Sequence, residues 1–161
     1  MEKIKTNAMR ILDKAQIKYN AYSYDYSDGS IDGVSVANKL GLPVERVYKT
    51  LVTQGASREY YVFVIPVAEE LDLKAAARAV CEKSVEMIKV ADINKVTGYI
   101  RGGCSPIGMK KSYKTVLDSS CENLDSIIVS AGKIGHQIEL APSDLIGLIN
   151  GTTAPVAVQR D

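Results

Sequence analysis

Val47-Tyr48-Lys49-Thr50-Leu51-Val52-Thr53, then Gln54-Gly55-Ala56-Ser57, then Tyr60-Tyr61-Val62-Phe63-Val64-Ile65 is the stretch that decides how this chain folds. β-Branched and aromatic residues fill both runs, and a polar, glycine-bearing segment divides them, so two strands joined as a hairpin are expected. Lys49 interrupts a strand otherwise apolar on both sides. A lysine there either lies at an exposed edge or points into a site, where desolvation makes it a strong donor to a carbonyl or phosphate oxygen. The strand pattern leaves both readings open.

Outward from the hairpin, helices and strands alternate irregularly. Upstream, Val34, Ala37 and Leu40 share one face of a short helix from Gly33 to Leu40 that ends at Gly41, and Pro43 opens a further turn. Tyr19 to Tyr24 alternates as a half-buried strand does, and Ala8, Ile11, Leu12 and Ala15 make a helix of Thr6 to Ile17, capped by Thr6 or Asn7. Downstream, Asp72 caps a helix through Val80 with Leu73, Ala76, Ala77 and Val80 as its apolar stripe. Ile127–Val129 and Ile138–Leu140 read as strands about the Ala131–Gly135 connection, and Ser143 or Asp144 opens a last helix that Gly151 closes. The tail beyond has weak periodicity. This order is α+β, not a strict βαβ repeat, and with no linker or internal repeat it makes residues 1–161 one domain.

Composition narrows the function. Twenty Lys and Arg against 19 Asp and Glu leave a net charge of +1, so nucleic-acid contact has to come from a local patch. No apolar run has the length of a membrane span, and the amino terminus lacks the apolar core of a signal peptide. Cys81, Cys104 and Cys121 are odd in number and form no CxxC pair, which suggests reduced thiols in the cytoplasm, no zinc site, and Cys81 as a small core residue.

The local patch is found around Gly102-Gly103-Cys104-Ser105-Pro106-Ile107-Gly108. Between Lys95 and Asp118 there is no Asp or Glu, while Arg101, Lys110, Lys111 and Lys114 fall inside those limits. Glycine permits positive φ and close backbone approach, so a donor loop flanked by cations suits an anionic or carbonyl ligand, although solvated Gly-Pro turns look alike. A second glycine loop, Gly132-Lys133-Ile134-Gly135, lacks P-loop spacing. His136, the one histidine, reads as an ordinary edge residue, and Cys104 as a small apolar loop residue with no acid or base near it in sequence.

Taken together, five ordered blocks resemble the YbaK/EbsC family of aminoacyl-tRNA deacylases, related to the editing domain of bacterial prolyl-tRNA synthetases. They are Val47–Val52, Pro66–Lys74, Thr97-Gly98-Tyr99, Gly102–Gly108 with Lys110-Lys111, and Val129–Gly135. The resemblance implies a mixed, curved, barrel-like sheet surrounded by helices, and removal of a wrongly attached amino acid, most typically cysteine from proline tRNA. It implies no cofactor and no metal. It makes Lys49 the essential lysine, Gly102 and Gly103 the backbone donors at the substrate carbonyl, and Tyr24, Thr50, Ser130 and Gln137 the substrate-facing residues. Arg101, Lys110, Lys111, Lys114 and Lys133 would meet the tRNA, and a partner such as prolyl-tRNA synthetase would supply tRNA selectivity.

Two departures bear on which amino acid is removed. Cysteine-specific members carry an aspartate where this chain has Gln137, and many have an aromatic residue near Asp32, where Ile31 and Asp32 stand here. In those members the substrate's own thiol is understood to attack and close a small ring, which suits a chain without an evident nucleophile. A positioned water acting on alanyl-tRNA is the enzymatic alternative. A non-catalytic module that binds the tRNA end or a synthetase is the alternative of a different class.

Overall fold

The hairpin forms as the sequence implies. In the computed structural model, which describes residues 4–158, β2 (Tyr48–Gly55) pairs antiparallel with β3 (Tyr60–Pro66) from Tyr48 opposite Pro66 to Gln54 opposite Tyr60. The turn closes through Gly55, whose N–H bonds Glu59 O at 2.8 Å, with Arg58 at φ 77°.

Before it come α1 (Asn7–Lys14), β1 (Asn20–Ser23) and α2 (Gly33–Leu40). Thr6 caps α1 by accepting from Met9 N–H. That helix ends three residues short of the expected Ile17, because Gln16 turns left-handed at φ 60° and Ile17 N–H bonds back to Leu12 O, a Schellman closure. α2 spans the expected residues and ends at Gly41 with φ 67°, but Val36 and Ala37 are its buried residues while Val34 faces solvent.

After the hairpin come α3 (Leu73–Ala79), β4 (Val85–Met87), α4 (Ile93–Thr97), β5 (Lys114–Asp118), β6 (Ile127–Ser130), β7 (His136–Leu140), α5 (Pro142–Ile149) and β8 (Thr152–Ala154). Asp72 caps α3 as expected, yet Leu73 is exposed and Ala75, Ala76 and Ala77 are buried. Cys81 is exposed, contrary to its reading as a core residue. It takes φ 60° just past the helix end, where Glu82 N–H returns to Ala77 O, and that left-handed position turns its side chain outward. α5 starts at Pro142, ahead of Ser143, and Asn150 at φ 53°, not Gly151, terminates it. β4, α4, β5 and β8 have no counterpart in the sequence reading.

The class is α+β, and the curved sheet is two sheets, not a closed barrel. Five strands run β4-β2-β3-β5-β8, with β5 parallel to both neighbours, and three run β1-β7-β6, all antiparallel. A parallel bridge from Val47 to Ile128 brings them together. Alternation along β3 sorts the core. Phe63 and Ile65 pack with Ala76 and Val80 around α3, whereas Val64 joins Ile127, Val129 and Ile138 beneath α1 and α5.

Candidate active site

The cleft that matters opens where β2 loses its second neighbour. β4 pairs with β2 only from Thr53 to Gly55, and β6 bridges only to Val47, just ahead of β2, so among the described residues no strand pairs with the edge between them. A cleft of about 680 Å³ follows that edge, with Lys49 and Thr50 on it. Opposite partners in an antiparallel ladder share a face, so Lys49 stands with Ile65 and Thr50 with Val64, on opposite faces of the sheet. Both reach the cleft because it wraps the free edge.

Lys49 is half-buried, and its Nζ donates to Val67 O at 3.3 Å. Burial pulls its ammonium below the ordinary 10.5, with the Glu70 and Glu69 carboxylates opposing that shift. The Thr50 hydroxyl is buried and has no hydrogen-bond partner among the described residues. An unpaired buried hydroxyl costs about 1–3 kcal/mol, and although Thr50 lines the cleft, this oxygen itself is shielded from solvent.

Ser130 and Gln137 come from β6 and β7, and both line the cleft as cross-strand partners. The hairpin that places them closes on the second glycine loop, with Ala131 N–H donating to His136 O at 3.1 Å and Gly132 N–H to Ser130 Oγ at 3.1 Å. Gly102 completes this side. It adopts φ 87° in a turn closed by Gly103 N–H on Ile100 O at 3.0 Å. Gly103 thus has its donor engaged and does not line the cleft, whereas Gly102 N–H has no acceptor among the described residues. The two glycine loops also pack together. A Cβ on Gly103 would stand 3.0 Å from Ile134 N, and one on Gly102 would stand 2.8 Å from Ile31 Cδ1.

Other residues singled out from sequence divide between the cleft and its surroundings. Tyr24 follows β1, is buried, and carries a hydroxyl without a partner among the described residues, but it does not line the cleft. Cys104 does line it, with its thiol pushed up to about 11 by burial, so it is a protonated wall residue and no nucleophile at neutral pH. His136 is half-buried away from the cleft, and burial followed by the Lys133 charge lowers its pKa.

Of the cations, Arg101 lines the cleft. Lys110 sits over Gly98 and donates to Lys95 O at 3.3 Å, and Lys111 and Lys133 are exposed nearby in sequence to the two loops. Lys114 opposes Tyr61, four residues along β3 from the Ile65 that faces Lys49, or roughly 13 Å at the usual strand rise. The sequence reading missed the apolar walls, Val36, Val47 and Val67, whose residue types carry no signal beyond core periodicity. No group of three or more His, Cys, Asp or Glu among the described residues is placed to hold a metal.

Comparison with known proteins adds three findings. The model of the aminoacyl-tRNA editing domain family matches residues 32–148. A protein of Enterococcus faecalis, named EbsC and described as a candidate Cys-tRNA(Pro)/Cys-tRNA(Cys) deacylase, is 46% identical over 156 residues, covering 97% of this chain and 95% of its own. Among solved structures, a candidate trans-editing enzyme for prolyl-tRNA synthetase superposes with a TM-score of 0.79 at 20% identity, covering 96% of this chain and 99% of that one. A hypothetical protein superposes with a TM-score of 0.84 at 17% identity, covering 92% and 97%. These two likenesses concern the fold alone.

Proposed function

The chain belongs to the aminoacyl-tRNA editing domain family, and on that premise we propose that it is a deacylase acting in trans on mischarged tRNA, with Cys-tRNA(Pro) as its substrate. The observation that carries this reading is one cleft lined by Lys49, Thr50 and Gly102, the glycine N–H unpaired among the described residues, whose one thiol, Cys104, is held by burial towards its protonated form. An aminoacyl ester is already activated, so donors and positioning suffice.

In this reading the substrate's thiol sulfur attacks its own ester carbon. A carbon–sulfur bond forms, the ester carbon–oxygen bond breaks, and the released ribose oxygen takes the thiol proton. The cyclic thioester then opens in water. Gly102 N–H meets the developing oxyanion, where a preorganised backbone donor acts without reorganisation. Lys49 holds the terminal phosphate or ribose, and Thr50, Ser130 and Gln137 orient the aminoacyl group. Tyr24 acts from behind the wall. Arg101, Lys110 and Lys111 follow the acceptor strand, with Lys133 and the more remote Lys114 at its margins. Prolyl-tRNA synthetase supplies tRNA selectivity as a partner.

A panel of cysteinyl, seryl, alanyl and prolyl esters on proline tRNA tests this. Cysteinyl ester should be cleaved while the seryl analogue, a poorer nucleophile of similar size, stays nearly inert. Comparable rates on seryl and alanyl esters would assign attack to water, with Gln137 as its orienting group. Tight tRNA binding without cleavage of any ester would mark a binding module.

A further inference from the structure

The cleft has one wall that no strand supports. Residues 25–31 run from the end of β1 to the cap of α2, and Gly29 and Ile31 of this loop line the cleft. Ile31 lies against Gly102, the backbone donor of the proposed chemistry. The loop's own hydrogen bonds are internal. Ser27 N–H and Oγ bond Asp25, Ser30 N–H bonds Asp28, and Gly29 N–H bonds Tyr26 O.

Lys39, in the last turn of α2, ties this loop to the rest of the chain. Its Nζ donates to Asp25 O at 2.7 Å, to the Asp28 carboxylate at 2.8 Å and to Ser30 O at 3.0 Å. The same ammonium lies 5.9 Å from the centroid of the Tyr24 ring. An ammonium has three N–H donors, and here each has its own acceptor, two of them main-chain carbonyls spaced along the loop. Its side chain retains 23% exposure, far less than the 58% of Asp28, so the arrangement differs from an ordinary solvated ion pair. Two backbone carbonyls drawn to one point fix the path of the main chain, which a side-chain pair alone does not.

We propose that Lys39 is a positioning residue of the site: it clamps the 25–31 loop onto α2 and so holds Ile31 against Gly102, setting how closely the aminoacyl group is confined. The inference rests on the deacylase reading for its functional consequence and on geometry alone for the clamp. It places selectivity between small aminoacyl esters partly outside the cleft, in a residue that touches no substrate. A misplacement of the order of 1 Å in a reacting geometry costs up to about 10²-fold, so loosening this wall reaches the chemistry without removing any reacting group.

The test compares Lys39→Met, which keeps the apolar stem, and Lys39→Arg with the wild-type protein in two measurements. Amide hydrogen exchange in residues 25–31 should accelerate about tenfold or more in Lys39→Met while the β2–β3 amides keep their protection. The ratio of cysteinyl to alanyl cleavage should fall about tenfold in the same variant, with most of it recovered in Lys39→Arg. That ratio is insensitive to the fraction of folded enzyme, so simple destabilisation leaves it unmoved. Unchanged exchange overturns the clamp, and faster exchange with an unchanged ratio overturns its role in selectivity. A wild-type protein that cleaves no ester refutes the deacylase reading instead, and the exchange comparison still decides the clamp.

Discussion

The two sides of the cleft reach the same precision by opposite means. On the strand side, Lys49 and Thr50 are held by a seven-pair register between β2 and β3, so their backbone is insensitive to what their side chains do. On the loop side, Gly102 sits at a positive φ with Ile31 packed against it, and the loop that carries Ile31 is tied in turn by the Lys39 side chain. The difference teaches where function and stability separate. A change on the strand side removes chemistry and spares shape, whereas a change on the loop side removes shape first.

The strand side should show the largest effect. Lys49→Ala is expected to lower deacylation by roughly 10²-fold or more, the scale of a lost transition-state donor, with the fold intact by circular dichroism. Near-wild-type turnover would break the comparison at its strongest point. Lys49→Met sharpens it from the stability side. Burial depresses the folded-state pKa below 10.5, so the charged lysine opposes folding at all pH values below that folded pKa, and the opposition vanishes as pH rises towards 10.5. The methionine variant should therefore melt higher at neutral pH, and its advantage should shrink in alkaline buffer.

On the loop side, Gly102→Ala is expected to cut activity about tenfold and to lower stability by about 1–2 kcal/mol, since an L-residue at φ 87° is strained and its Cβ would meet Ile31. Adding Ile31→Ala should relieve the collision and recover stability only in part, because the backbone strain remains. Denaturant melts of the single and double variants measure both contributions.

A smaller effect is expected farther out. Neutralising Lys110 and Lys111 together should flatten the dependence of tRNA affinity on salt by a slope of about two, as two fewer counterions are released, and leave the rate on bound substrate unchanged. An unaltered slope would put the RNA on another face. Cys104→Ser should matter least, within about twofold, because a wall thiol held protonated reacts with nothing at neutral pH. A large loss there would return the nucleophile to the enzyme.

Much of this architecture was legible before the structure, and the missed parts share a cause. The hairpin, α1, α2, α3 and the β6–β7 pair announce themselves through local periodicity and caps, and the resemblance in five ordered blocks pointed to the family. β5 did not announce itself. Lys114-Thr115-Val116-Leu117-Asp118 holds only three apolar or β-branched residues between charged ones, too few for a pattern, yet it is a buried interior strand because β3 and β8 flank it. β8 is three residues long and acquires meaning only from β5. Residue type points Cys81 to the core and helical spacing points Leu73 there, and the geometry at the two ends of α3 puts both outside.

The same division runs through the site. The sequence by itself singled out the candidates, since a lysine in an apolar strand and an acid-free glycine loop are anomalies visible without neighbours, and the resemblance implied their roles. Only the tertiary structure decided that Gly102 keeps an N–H unpaired among the described residues while Gly103 spends its own in a turn, that the two glycine loops touch, and that Lys39, on the helix after the loop, folds back to grip it. Local patterns report on a residue and its helix or strand. Which donor stays unpaired, and which backbone is pinned, depends on acceptors brought in by chain closure, and those are properties of the fold.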